Sequence, residues 1–151
     1  MKRVFALLAI SFIVAAHLQA APKVEATTAK DKDSKPTDTF TADVPKVYVF
    51  FKTSGTKKGD SLRSVWIADD VGEAAPANTK IDEGSVTGDK DDFVGAFSLS
   101  KPTKGWPVGK YHVDIYSGDE VVTTVKFTIK AGKGDASSDE DDDDDDKKSD
   151  D

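Results

Sequence analysis

The pattern that organises the middle of the chain has a period of two. In "KVYVFFKT", Val47, Val49 and Phe51 fall on one face and Tyr48 and Phe50 on the other, which is the alternation of a strand. The β-branched and aromatic content suits a pleated surface, and Pro45 is tolerated just ahead of the first ladder position. The same alternation returns in "SLRSVWIAD", where Leu62, Ser64, Trp66 and Ala68 oppose Arg63, Val65 and Ile67. Lys80 to Val86 predicts a polar edge strand. "FVGAFSLS" aligns Phe93, Phe97 and Leu99, with Gly95 marking a bulge or a close-packing point. "YHVDIYS" places Tyr111, Val113 and Ile115 on one face. Gly118 and Asp119 have the composition of a two-residue hairpin turn. The return strand "EVVTTVKFTIK" lines up Val121, Thr123, Val125, Phe127 and Ile129, with Thr124, Lys126, Thr128 and Lys130 facing water. Helical periodicity is absent, and turns recur at intervals of roughly 10 residues, as in an all-β sandwich.

The periodic region occupies residues 43–131, close to the ~100 residues of a small sandwich. Residues 21–42, "APKVEATTAKDKDSKPTDTFTA", have Val24 and Phe40 as their only large apolar side chains and predict a disordered linker. Residues 132–151 predict a disordered acidic tail, kept extended by repulsion between adjacent carboxylates. Residues 1–20 read as a signal peptide: Lys2 and Arg3 precede the apolar run "VFALLAISFIVAA", and "HLQA" offers cleavage after Ala20. The run is short of the ~20 apolar residues that span a bilayer. The expected location is therefore secreted or periplasmic, with no stable membrane insertion after cleavage.

Charge sharpens this reading. The whole chain carries −7, and loss of Lys2 and Arg3 with the signal makes it −9. From Asp135 to Asp151 eleven acids face Lys147 and Lys148, again −9, so residues 21–134 are neutral. With no basic stripe to displace counterions from phosphates, nucleic acid is not an expected partner. Cysteine is absent, which removes thiol catalysis, thiolate zinc sites and disulfides, and leaves stability to an apolar core.

"GWPVGKYHVDIY" resembles the E–F corner of immunoglobulin-like domains, where a tyrosine opens a strand two residues before an apolar or cysteine position. On that resemblance Tyr111 matches the corner tyrosine, Val113 the second cysteine position, and Trp66 the buried core tryptophan. The ending "LSKPTKGWPVGKY…TVKFTIK" is similar to small Ig-like modules of secreted and periplasmic bacterial proteins. The resemblance implies an antiparallel sandwich of about six to seven strands. The absence of both cysteines leaves the topology open between fibronectin-like and other variants. Gly105, Pro107 and Gly109 shape the corner, and Trp106 caps one end of the core or belongs to a ligand surface.

Candidate chemistry is sparse. His112 is the only histidine after the signal, and its ring should point away from the Tyr111 face. Nothing like a Gly-x-Ser-x-Gly elbow accompanies it, and one histidine does not make a zinc site. The carboxylate pairs Asp69–Asp70, Asp82–Glu83 and Asp91–Asp92 fall in turns or polar edges, where aspartate is favoured for its backbone hydrogen bonds. The run from Asp139 to Asp146 is a solubilising tail or a polyanionic arm. As an arm it gathers calcium weakly through Asp141, Asp142, Asp143, Asp144, Asp145 and Asp146, or docks on a basic partner. The sequence thus predicts a monomeric, non-enzymatic module without a cofactor, binding a protein or cell-envelope component. The expected binding residues are Trp106, Asp69, Asp70 and Tyr116, around the loop from Asp69 to Thr79.

Overall fold

The computed structural model describes residues 20–132; the segment expected to be a signal peptide and nearly all of the expected acidic tail lie outside them. Eight strands run in chain order: β1 (Lys23–Ala29), β2 (Thr39–Thr41), β3 (Lys46–Ser54), β4 (Ser61–Asp70), β5 (Thr79–Thr87), β6 (Val94–Ser100), β7 (Gly109–Ser117) and β8 (Glu120–Lys130). The one helical element among the described residues is a 3-10 turn at Gly72–Ala74. One sheet has the order β1-β3-β6 and the other β2-β8-β7-β4-β5. All pairings are antiparallel except that of β2 with β8. Pairing of β3 with β6, and of β4 with β7 and β7 with β8 in the facing layer, is the arrangement of an immunoglobulin-like sandwich.

The core follows the sequence alternation. Val47, Val49 and Phe51 from β3 meet Leu62, Trp66, Val113, Ile115, Phe127 and Ile129 from the facing sheet, all buried. Trp66, only 2 % exposed, occupies the core tryptophan position on β4. Gly95 marks close packing rather than a bulge: its partner is Phe51, and a Cβ at Gly95 would lie 2.6 Å from the Phe51 ring. The buried hydroxyls of Thr53 and Thr56 share a 2.7 Å hydrogen bond, and Thr53 Oγ1 also donates to the Phe93 carbonyl at 2.9 Å. These polar groups are therefore satisfied inside the fold.

The main departure from the sequence expectation lies in residues 21–42. β1 pairs with β3 from Lys23 opposite Ser54 to Ala29 opposite Tyr48, and Phe40 of β2 sits opposite Ile129. Averaged composition conceals a short alternation: Val24, Ala26 and Thr28 turn inward, and Phe40 is 1 % exposed. Two ladders supplied by β3 and β8 offset the ordering entropy that the segment alone could not. Its polar stretch is the connection between the two strands, where Asp31 accepts hydrogen bonds from Asp33 N and Ser34 Oγ. The strand total rises accordingly from six or seven to eight. A smaller correction concerns Val121, expected inward but 43 % exposed, because the β7–β8 register shifts between Ile115 and Tyr116.

Candidate functional site

The corner explains why a tryptophan, a proline and two glycines crowd before β7. The Tyr111 hydroxyl donates to the Pro107 carbonyl at 2.5 Å, tying the strand back to its own loop. The Tyr111 ring stacks on Phe127 at 5.1 Å and 9°, and burial pushes its phenol up to about 12. Gly109 is required by a close approach: a Cβ there would lie 2.1 Å from the Asp70 carbonyl oxygen. Trp106 is not available to a ligand. It is 4 % exposed, its Nε1 donates to the Val44 carbonyl at 2.8 Å, and its ring meets Tyr111 edge-on. Of its two sequence readings, capping the core is the one observed.

The other expected binding residues separate. Asp70 caps the turn after β4 by accepting from Gly72 N at 3.2 Å. Asp69 and Tyr116 lie on the outer face of the five-stranded sheet, and between them runs a row of paired polar groups. Asp69 Oδ1 is bonded to His112 Nδ1, and His112 Nε2 lies 3.4 Å from Asp114 Oδ2. Thr124 Oγ1, on the neighbouring β8, donates to Asp114 Oδ1 at 2.6 Å. At the other end of the face the Arg63 guanidinium lies over the Tyr116 ring, 4.3 Å from its centroid, and 3.7 Å from Glu83. Val65, opposite both Glu83 and Asp114, is buried among these side chains.

The alternation placed His112 on this face correctly. Asp114 shares that face by alternation along β7, whereas Asp69 reaches the imidazole only through register, since His112 is opposite Ile67, two residues from Asp69 on β4. Both ring nitrogens face carboxylate oxygens. The two carboxylates approach from opposite sides of the imidazole and do not converge on one point. Among the described residues no group of three or more His, Asp or Glu side chains is placed to hold a metal ion.

The remaining carboxylate pairs serve loops and edges. Asp91 accepts from Lys58 N at 2.8 Å and pairs with Lys57, and Asp92 accepts from Gly55 N at 2.7 Å, so one loop fastens another. The Lys58 amide and the Lys57 ammonium both hold the Asp91 carboxyl below its usual range. Glu83 pairs with Lys80 at 2.8 Å. The six aspartates from Asp141 to Asp146 lie outside the described residues.

No protein-family model matches the sequence, and no curated protein is significantly similar to it. Among solved structures, an immunoglobulin-like protein from Pseudomonas aeruginosa is 18% identical, with a TM-score of 0.48 over 75% of this chain and 99% of its own. The alkylpurine DNA glycosylase AlkC of Pseudomonas fluorescens, bound to abasic-site DNA, is 12% identical, with a TM-score of 0.46 over 73% of this chain and 30% of its own. The DNA in the second structure belongs to that enzyme.

On the outer face of the three-stranded sheet, Tyr48 and Phe50 stack with centroids 5.6 Å apart, and the Lys46 ammonium lies 5.7 Å from the Tyr48 centroid. Their neighbours on β6 are the small residues Ser98 and Ala96. Between the two layers, beside β1 and β8, runs an open groove lined by Thr27, Thr28, Thr37, Asp38 and Lys126.

Proposed function

We propose that the chain is an exported, non-enzymatic Ig-like accessory module. It binds a protein or cell-envelope component through the outer face of its five-stranded sheet. The observation that carries this reading is the polar row from Asp69 through His112 and Asp114 to Thr124, continued by Arg63 over Tyr116. Tyrosine and arginine are enriched where proteins meet, and here both are held in place before any partner arrives. The non-enzymatic reading is supported by the surroundings of His112, whose ring nitrogens face carboxylates and, among the described residues, are hydrogen-bonded to no hydroxyl that could serve as a nucleophile. Export is supported by the sequence of residues 1–20. No helix of the described residues is long and apolar enough to cross a membrane.

The test is a pull-down from the exporting cell's envelope, using the processed chain, a version ending at Gly134, and a double variant Arg63→Ala with Tyr116→Ala. Capture by the first two and its loss in the third supports the sheet face. A second reading rests on charge: since all of the net charge lies in residues 135–151, the tail itself gathers divalent cations or a basic partner. Capture that disappears on removal of the tail, and survives the double variant, replaces the first reading with the second.

A further inference from the structure

The geometry points to self-association through β6, an interface in which the free edges of two copies pair antiparallel. β6 is an edge strand of seven residues, "VGAFSLS", and contains neither a charged residue nor a proline. Edges are ordinarily blunted by such residues or by brevity. The other edges of this sandwich obey that rule. β1 carries Lys23 and Glu25, and its Thr28 carbonyl already accepts Thr37 N; β5 carries Lys80, Asp82 and Glu83; β2 has three residues. β6 alone is left plain, with Val94 66 % exposed.

The ladder shows which backbone groups are offered. Thr53 N donates to Phe93 O at one end of β6, and Lys101 N to Pro45 O just past the other. In an antiparallel pair these bonds fall on alternate residues, so positions 93, 95, 97, 99 and 101 bond to β3. Val94, Ala96, Ser98 and Ser100 therefore direct their amides and carbonyls outward. Their side chains share the outer face with Tyr48 and Phe50 and are small or β-branched, which lets a second strand approach closely.

A second copy fits this edge through a two-fold axis at Phe97. Val94 then faces Ser100 of the second copy and Ala96 faces its Ser98, which exchanges about eight backbone hydrogen bonds. No like charges oppose each other in that register. The antiparallel direction also separates the acidic tails. The chain leaves the sandwich beside Thr41 and Lys130, at the same pole as Lys101 and Pro45, so the two tails depart from opposite ends of the paired strands. Seven residues of strand span about 23 Å, well beyond the ~8 Å over which salt screens charge. Growth stops at the dimer because the outer edges of the joined sheet are the charged β1 strands. This departs from the monomer expected of the sequence.

Sedimentation of the processed chain over a concentration series tests the pairing, with Ala96→Lys as the disrupting variant and Thr27→Lys on β1, at the opposite edge of the sheet, as the control. The expected result is a dimer whose apparent dissociation constant rises roughly tenfold or more with Ala96→Lys and is unmoved by Thr27→Lys. Ala96 is exposed, so an unchanged melting temperature shows that Ala96→Lys still folds. The chain has no cysteine, so Ala96→Cys combined with Ser98→Cys should give a covalent dimer on oxidation. A monomer up to about 1 mM, a dimer indifferent to Ala96→Lys, or a monomer whose β6 takes up only a strand from another protein overturns the proposal.

Discussion

Phe40 meets Phe127 edge to face, with ring centroids 5.9 Å apart and planes at 83°. This joins a segment that looks like linker to the strand that carries the centre of the core. Phe127 also touches Trp66, Trp106 and Tyr111, so Phe40 closes an aromatic cluster rather than decorating it.

Phe40→Ala is therefore expected to cost about 3 kcal/mol, the low end of the range for buried phenylalanine. Urea unfolding measures it as a lower midpoint at unchanged slope. A chain starting at Asp43 should lose β1 and β2 and show a much larger fall. A truncated chain as stable as its parent would return residues 21–42 to the status of a tether.

The contrast between the two halves of the domain shows what sequence patterning conveys. β3, β4, β7 and β8 alternate over seven or more residues, and their inward faces were legible because each has its own hydrophobic period. β1 and β2 were not, because their strand character comes from the partners. Val24 and Phe40 stand in stretches otherwise made of Thr, Lys and Asp, and what holds them is register with Thr53 and Ile129. The corner was legible because Tyr111 and its glycines form a contiguous local motif. The row on the outer sheet was half legible, since Asp69 and His112 lie 43 residues apart and meet only through the β4–β7 ladder.

Tyr111 makes alkaline stability a direct readout of the corner. Its folded-state value of about 12 lies above the ordinary 10.0 because burial disfavours the phenolate. The folded state holds the proton more tightly, so this contribution is complete below pH 10 and is lost as pH rises toward 12. The ionisation of Tyr111, followed by the ultraviolet absorbance of the phenolate, should coincide with unfolding. Tyr111→Phe should remove the hydroxyl's bond to Pro107, cost about 1 kcal/mol at neutral pH, and flatten the alkaline loss. Ionisation of Tyr111 near pH 10 in the intact fold would contradict the buried corner.

Gly95 provides a test of close packing. Phe51 lies against it, and the ring is itself held by Phe93 at 5.8 Å and Phe97 at 5.2 Å. A methyl at Gly95 must displace that ring, so Gly95→Ala should cost about 1–3 kcal/mol despite its higher strand propensity. Pairing Gly95→Ala with Phe51→Leu should recover part of the loss, a coupling that thermal unfolding of the four forms would reveal. Additive losses would mean that the ring has room to move.

The carboxylate–imidazole row sets a limit on how much the outer sheet face contributes to folding. Asp69, His112 and Asp114 have side chains 27%, 18% and 18% exposed, so water screens their attraction only in part. A double-mutant cycle of Asp69→Ala and His112→Ala should give a coupling of about 1 kcal/mol, above the typical exposed pair and below a fully buried one. Single removal of His112 should cost more than single removal of Asp69, because the imidazole is the group that both Asp69 and Asp114 face. If the row exists for a partner, as proposed, these variants should weaken capture by more than they lower the melting temperature. Equal losses in both would assign the row to the fold alone, since a purely structural pair has no further effect once the domain is folded.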